Sequence, residues 1–399
     1  MARNPMRDQV AIVGIGITEY GRHLDGRTSL SFALEAARKA IDDAGLTKQD
    51  IDGICGTSIV EFEDVHEGLG IPQLTWSLNT MRGTIPPHQV AAAAHAVFSG
   101  ACETALVVHG HTRGPSNSKS AGNDPFRLRA LPQSQARNPP RSPLDHAAFW
   151  AHSGDAYGAY GGRYLWEFGA PRETFGMIAI NSRTNASANP HAILRTPLTM
   201  EDYLSARMIR EPLCLFDMDL PCDGGNALVI TTAERARALP NKPVYIHAAT
   251  FGESRFGTHY YEQARSYREL SVWPCMRKLW AKSDLALADV DVFYPYEGFT
   301  NIAVAWLEAS GYCDAGGAHG FLREHWSEEE NRLRINDRVL VQPAGGSLSQ
   351  GASQGFSYFY DAAQQIRGEA PNQVPEARAA LVCAGGIFHN STAFVLRGD

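Results

Sequence analysis

No window of this 399-residue chain holds the roughly 18 uninterrupted apolar residues that a membrane-spanning helix requires. A basic excess is missing too. The 36 Lys and Arg residues stand against 43 Asp and Glu, a formal net charge of -7, so the basic face of a nucleic-acid binder is not expected. The seven cysteines, Cys55, Cys102, Cys214, Cys222, Cys275, Cys313 and Cys383, include no C-x-x-C pair. Their odd number and scatter fit neither a zinc ribbon nor a disulfide framework, and they predict a reducing, cytoplasmic setting with most thiols packed as small core residues. Residues Met1 to Asp8 lead into a β-rich run rather than an apolar segment with a small-residue cleavage site, which predicts no signal peptide. Gly14-Ile-Gly16 lacks the third glycine of a dinucleotide loop, and His109-Gly-His111 lacks an evident third metal ligand. What is present is the composition of an ordinary globular protein, with 44% hydrophobic and 20% charged residues.

The chain contains a repeat. Val10-Ala-Ile-Val13 reads as a strand ended by Gly14-Ile-Gly16. Ser29 to Ala44 follows as an amphipathic helix with Phe32, Ala33, Ala36, Ala37, Ala40 and Ile41 on one face, closed by Gly45, and Ile51 to Ile54 opens a second strand. One constant offset, without a gap, carries Arg38-Lys39 onto Arg277-Lys278, Leu46 onto Leu285, Asp50 onto Asp289, Ile51 onto Val290 and Ile54 onto Phe293. Ala105-Leu-Val107 likewise matches Ala380-Leu-Val382. Each half therefore reads as strand, helix, strand, helix, strand, which predicts a parallel-rich sheet covered by helices, with the two halves packed through those helices. Between them, a stretch rich in Pro, Arg, Ser and Asn is followed by helix-like pieces near Asp145 to Phe168 and Arg172 to Asn185; the pattern resumes with a turn at Asp223-Gly-Gly225 and a strand at Ala227 to Ile230.

Pro221-Cys-Asp-Gly-Gly-Asn-Ala-Leu-Val229, Gly345-Gly346 and Val382-Cys-Ala-Gly-Gly386, with the duplicated halves and the long insertion, resemble the thiolase superfamily. Tyr296-Glu-Gly-Phe-Thr300 followed by Trp306-Leu-Glu-Ala-Ser-Gly-Tyr312 is similar to its sterol-carrier, or lipid-transfer, branch. The resemblance covers nearly the whole chain. It implies an α/β, thiolase-like fold of two pseudo-duplicated βαβαβ halves in an αβαβα layered arrangement with an inserted loop domain. The boundaries expected are 1–111 plus 222–243 for the first half, 112–221 for the insertion and 244–399 for the second half. Where thiolases carry a nucleophilic cysteine, this chain reads Asn79 to His88 with none, and where their Gly-His-Pro histidine stands, it reads Gly351-Ala-Ser353. Acyl transfer needs an activated thiolate and a base. The departures therefore resemble the members of this branch that cleave steroid side chains. They imply retro-aldol cleavage of a bulky β-hydroxyacyl-CoA to a ketone or aldehyde and a shorter acyl-CoA, with no cofactor. They also imply a homodimer core and a small partner protein with an OB-fold and zinc ribbon. None of the six lysines falls in the expected catalytic loops, so a Schiff-base mechanism is not expected.

Tyr296 is the first catalytic candidate, a proton donor or acceptor if its pKa is lowered, with Tyr294 two residues earlier as the alternative base. Glu297 is read as a catalytic carboxylate or a structural one. By resemblance Cys383 takes the place of the thiolase acid/base cysteine and Gly385 offers an oxyanion-binding N–H; His389 follows in the same loop, within reach of the pocket, and a core thiol and an exposed loop histidine are the plainer readings. Gly83 and His88, beside the Pro86-Pro87 helix start, are candidates for holding an oxyanion or the substrate carbonyl through backbone N–H groups. No metal ligand is assigned. Two further readings stay open: an atypical acyl-CoA thiolase or acyltransferase using Cys383, and a non-catalytic acyl-CoA- or lipid-binding subunit.

Overall fold

The computed structural model describes residues 4–57, 59–80, 85–114, 153–252, 266–387 and 390–399. Its first run comprises β1 (Val10–Ile17), α1 (Ser29–Asp43), β2 (Gly53–Thr57), α2 (Phe62–Leu69), β3 (Trp76–Thr80), α3 (Pro87–Ser99) and β4 (Thr104–Thr112). Then come α4 (Ser153–Phe168), α5 (Glu173–Ala186), α6 (Met200–Ser205), a short hairpin of β5 (Met208–Arg210) and β6 (Leu213–Cys214), β7 (Asp223–Thr232), α7 (Ala233–Ala236) and β8 (Val244–Gly252). The last run is α8 (Val272–Lys282), β9 (Val292–Tyr294), α9 (Thr300–Ser310), α10 (Ala318–Glu324), β10 (Trp326–Ser327), β11 (Arg332–Ile335), β12 (Val339–Val341), α11 (Ser357–Arg367), β13 (Ala379–Ala384) and β14 (Ser391–Arg397).

One sheet organises the molecule. From its centre, β1-β7-β4-β2-β3 runs outward on one side and β8-β14-β13-β9-β12 on the other, with β11 and β10 extending the second edge. The order is a pseudo-two-fold, as the repeat requires. β2 is parallel to β3 and β4, and β9 to β12 and β13, whereas the remaining neighbours are antiparallel. The sheet is thus mixed, less parallel than simple alternation predicts, because β7 returns beside β4 and β14 beside β13 in the reverse direction. The halves also join through the sheet itself, where β1 meets β8 over Ala11↔Tyr245 and Ile12↔Val244.

Layering follows from which face each strand residue occupies. Ala11, Val13, Leu106, Val108 and Val229 pack with the Ala33, Ala36, Ala37 and Ala40 stripe of α1. Val10, Ile12, Ala105, Val107 and Leu228 face the other way, into the core that holds Val90, Ala93 and Val97 of α3 and Phe359, Ala362 and Ala363 of α11. The sequence reading ends β1 at Gly14-Ile-Gly16, but the strand continues through both glycines to Ile17. Their role is close approach: a Cβ would stand 2.0 Å from the Ala40 carbonyl oxygen at Gly14, and 2.0 Å from that of Ala36 at Gly16. Asp223-Gly-Gly225, read as a turn, is likewise the first part of β7. A buried Arg367 clamps α11 onto the first half, donating to Val13 O and Asp43 Oδ2, each at 2.8 Å. Among the described residues no helix is long and apolar enough to cross a membrane.

Candidate functional site

β9 stops at Tyr294 because Pro295 has no N–H to offer the ladder. The break sends the neighbouring side chains to different destinations. Tyr294 turns into the core, fully buried, and its hydroxyl donates to Asp361 Oδ2 at 2.5 Å on α11. Tyr296 instead turns toward Arg113 and Asp219, and its hydroxyl folds over Gly298, where a Cβ would lie 2.6 Å from the oxygen. The two phenols therefore do not share one site face.

Asp219 is brought there by a docked segment. Asp217 accepts hydrogen bonds from Thr300 Oγ1 at 2.6 Å, Tyr203 OH at 2.8 Å and Cys214 N at 2.7 Å, and Asp219 N donates to Gly298 O at 3.0 Å. Arg113 arrives from the end of β4, donating its backbone N–H to Cys222 O at 3.0 Å and pairing with Asp219 at 3.2 Å. Sequence reasoning requires a lowered Tyr296 pKa if the phenol is to act as a base. The structure corrects this: burial, and next the Asp219 carboxylate, push it well above the usual phenol range, although Arg113 opposes the shift. Tyr296 is therefore held as a neutral phenol at physiological pH.

Glu297 is buried beneath the glycine-rich turn. It accepts from Ser347 N, Gln342 Nε2 and, at 3.0 Å, Tyr358 OH. Burial raises its carboxyl to about 8, so these bonds hold a group that is largely protonated at neutral pH. Such packing fits the structural alternative, with Glu297 fixing the loop behind Tyr296.

Cys383 lies on the side of β13 that faces α8 and α9, its sulfur 3.9 Å from Ser310 Oγ and from Met276 Sδ. Burial raises its thiol well above the ordinary range, with Cys275 adding to the shift. This is the environment of a core thiol rather than of an acid/base pair with Tyr296. Ala384, the residue before Gly385, shares a neighbour with Tyr296: a Cβ built at Gly355 would stand 3.1 Å from Ala384 Cβ and 3.6 Å from Tyr296 Cδ2, whereas one built at Gly385 would meet Asn390 O at 2.1 Å. Gly385 O accepts from Trp306 Nε1 at 3.2 Å. His88 occupies the first turn of α3, where its Nδ1 accepts from Ile85 N at 3.3 Å and its ring meets Phe251 edge-on at 4.6 Å. Gly83 and His389 lie outside the described residues.

No motif in the sequence singles out Arg113 or Asp219, because nothing in their local spacing marks them, and Cys222 stands in the Pro221–Val229 motif without a role of its own. The β4–β7 pairing, which sets Thr112 opposite Asp223, brings them together.

Asp361 gives the fold a pH dependence of its own. Burial raises its carboxyl from 3.8 to about 7, and the Tyr294 bond only partly opposes this. A raised acid pKa means the folded state holds the proton more tightly, so this group's contribution is complete below about pH 4 and is lost as pH rises to about 7. Asp361→Asn, which keeps an acceptor for Tyr294, is expected to remove on the order of a few kcal/mol of that pH-dependent loss. Thermal midpoints between pH 4 and 8 check it; an unchanged slope would contradict the assignment.

A profile described as thiolase C-terminal domain-like matches residues 272–398. The 17-hydroxy-3-oxo-4-pregnene-20-carboxyl-CoA lyase of Mycobacterium tuberculosis is 32% identical over 94% of this chain and 96% of its own length. A steroid side-chain-cleaving aldolase of Thermomonospora curvata is 30% identical, covering 94% of each chain. Among solved structures, the Ltp2-ChsH2(DUF35) aldolase superposes with a TM-score of 0.82 at 28% identity over 99% of both chains. An SCP2-thiolase-like protein type 1 from Mycobacterium smegmatis, 18% identical with a TM-score of 0.70 over 99% of this chain and 78% of that one, shares the fold.

Proposed function

Because the chain belongs to the thiolase superfamily, alongside the steroid side-chain-cleaving aldolases of its sterol-carrier branch, we propose that it is a carbon–carbon lyase acting on a bulky β-hydroxyacyl-CoA. The observation that carries this reading is the neutral Tyr296 phenol set against the Arg113–Asp219 ion pair, in a chain with no cysteine in Asn79–His88 and no histidine in Gly351–Ser353. In the reaction the β-hydroxyl loses its proton, the Cα–Cβ bond breaks, and its electron pair moves onto the thioester as an enolate. The new carbonyl leaves as a ketone or aldehyde, and return of the abstracted proton to Cα of the enolate gives the shorter acyl-CoA.

Asp219, held by Arg113, is the proton acceptor for the β-hydroxyl; Tyr296 donates to the developing enolate oxygen, assisted by the Gly385 backbone. Glu297 and Tyr358 keep the Tyr296 loop in place. No covalent intermediate and no cofactor are needed. The segment 112–221 serves as the cap that shapes the acyl pocket, between halves spanning 1–111 plus 222–243 and 244–399. The likeness to the Ltp2-ChsH2(DUF35) aldolase supports a partner protein, and the family resemblance adds to this assembly a homodimer core and a small OB-fold, zinc-ribbon form for that partner, in the cytoplasm.

The test is an assay of the chain with its co-purified partner on β-hydroxyacyl-CoAs of increasing bulk. Stoichiometric ketone or aldehyde and shortened acyl-CoA are expected, and Cys383→Ala is expected to keep activity within about threefold, since conservative core changes of this size mainly affect stability. Tight binding without turnover would instead mark a binding subunit, and a trapped acyl-Cys383 would mark an acyltransferase.

A further inference from the structure

Between β4 and β7 lies a buried polar cluster to which the lyase mechanism assigns no role. His109 and His111 project from one face of β4, each 3% exposed, with rings stacked at 5.2 Å. Asn226, fully buried, sits directly across the ladder from His109. Tyr20 OH donates to Asn226 Oδ1, and the Tyr20 ring meets His111 edge-on at 5.5 Å. His111 Nε2 lies 3.5 Å from Cys222 Sγ, and Phe356, just before α11, stacks on His109 at 6.0 Å.

Four polar atoms in this cluster are buried without a hydrogen-bond partner among the described residues: both ring nitrogens of His109, Nδ1 of His111 and Nδ2 of Asn226. Each such orphan forfeits its hydration without compensation unless something completes it. Two of the side chains stand opposite each other on paired strands, so one guest can meet several of these atoms at once. The cluster is also continuous with the reacting centre. Arg113, two residues beyond His111, donates its backbone N–H to the carbonyl of Cys222 at 3.0 Å and pairs with Asp219 at 3.2 Å.

We propose that His109, His111 and Asn226 form a subsite for an uncharged oxygen, a ketone or a hydroxyl, carried by the acyl group; this rests on the acyl-CoA reading above. Neutral imidazoles each present one donor and one acceptor, and Asn226 adds a donor, a set that suits such an oxygen. Burial presses His109 down to about 3 and His111 well below its ordinary value, so neither ring offers a positive charge to an anionic group at physiological pH. A metal ion is not the guest this geometry suits, because among the described residues no three His, Cys, Asp or Glu side chains converge to hold one.

The experiment measures binding, not turnover, in the Tyr296→Phe variant so that the probe survives. Its probes are CoA thioesters sharing one polycyclic acyl group, bearing a ring ketone, a ring hydroxyl or a methylene at the same position. The oxygenated probes are expected to bind about 10- to 100-fold more tightly than the methylene one. That preference should be constant between pH 5.5 and 8, and His109→Phe and Asn226→Leu should each reduce it at least severalfold while calorimetry confirms folding. Equal affinities of all three probes would overturn the subsite while leaving the lyase reading intact, as would a preference that survives both substitutions. If no thioester binds at all, the acyl-CoA reading falls and the subsite falls with it.

Discussion

Tyr296→Phe is expected to lower the turnover number for carbon–carbon cleavage by about 10²–10⁴-fold, the range of a lost proton donor in a general acid–base step. KM should change little, because the donated bond strengthens as enolate charge develops and is weak in the ground state. Stability should move by no more than about 1 kcal/mol, since one hydroxyl is deleted and the ring keeps its packing. The companion substitution Tyr294→Phe separates the two tyrosines. It removes the hydroxyl that donates to the buried Asp361, so its main effect should be a loss of stability rather than of turnover. Steady-state kinetics and calorimetry on both variants decide the matter. Full turnover by Tyr296→Phe would overturn the assignment of the donor.

Trp306→Ala is the second large effect. Trp306 is completely buried on α9, and truncating an aromatic side chain of that size in a packed core costs about 3–5 kcal/mol. The indole N–H also holds the Gly385 carbonyl, so the variant that does fold should show a turnover defect out of proportion to its distance from Tyr296. Trp306→Phe retains most of the apolar volume but not the bond. It should lose only about 1–2 kcal/mol while keeping part of the kinetic defect. Denaturant midpoints with matched kinetics check both; normal kinetics in Trp306→Phe would show that the bond does not position Gly385.

The duplicated framework was legible because helix periodicity, glycine caps and one offset are local signals that survive in a single sequence. Ser29 to Ala44 is an example, its apolar face matching the buried stripe of α1 almost residue for residue. Glycines misled where they serve contact instead of turning, as at Gly14 and Gly16. The site was less legible. Tyr296 stood out through its motif, but its separation from Tyr294 depends on the course the chain takes after Pro295. The raised pKa depends on burial by segments far away in sequence. Arg113 and Asp219 meet because β4 pairs with β7 and the Asp217–Asp219 segment docks on Thr300 and Gly298, contacts that no local spacing announces.

The narrow seam between β1 and β8 has a consequence for how such a protein diverges. The first half supplies the orphan imidazoles, the segment between the halves the Arg113–Asp219 pair, and the second half the phenol and the closing glycines. Neither duplicate owns the chemistry, so each is free to shed an ancestral side chain while its twin maintains the scaffold. A substitution in one copy will therefore be epistatic with substitutions in the other, and histories of gain and loss should correlate across the pseudo-dyad rather than along the chain.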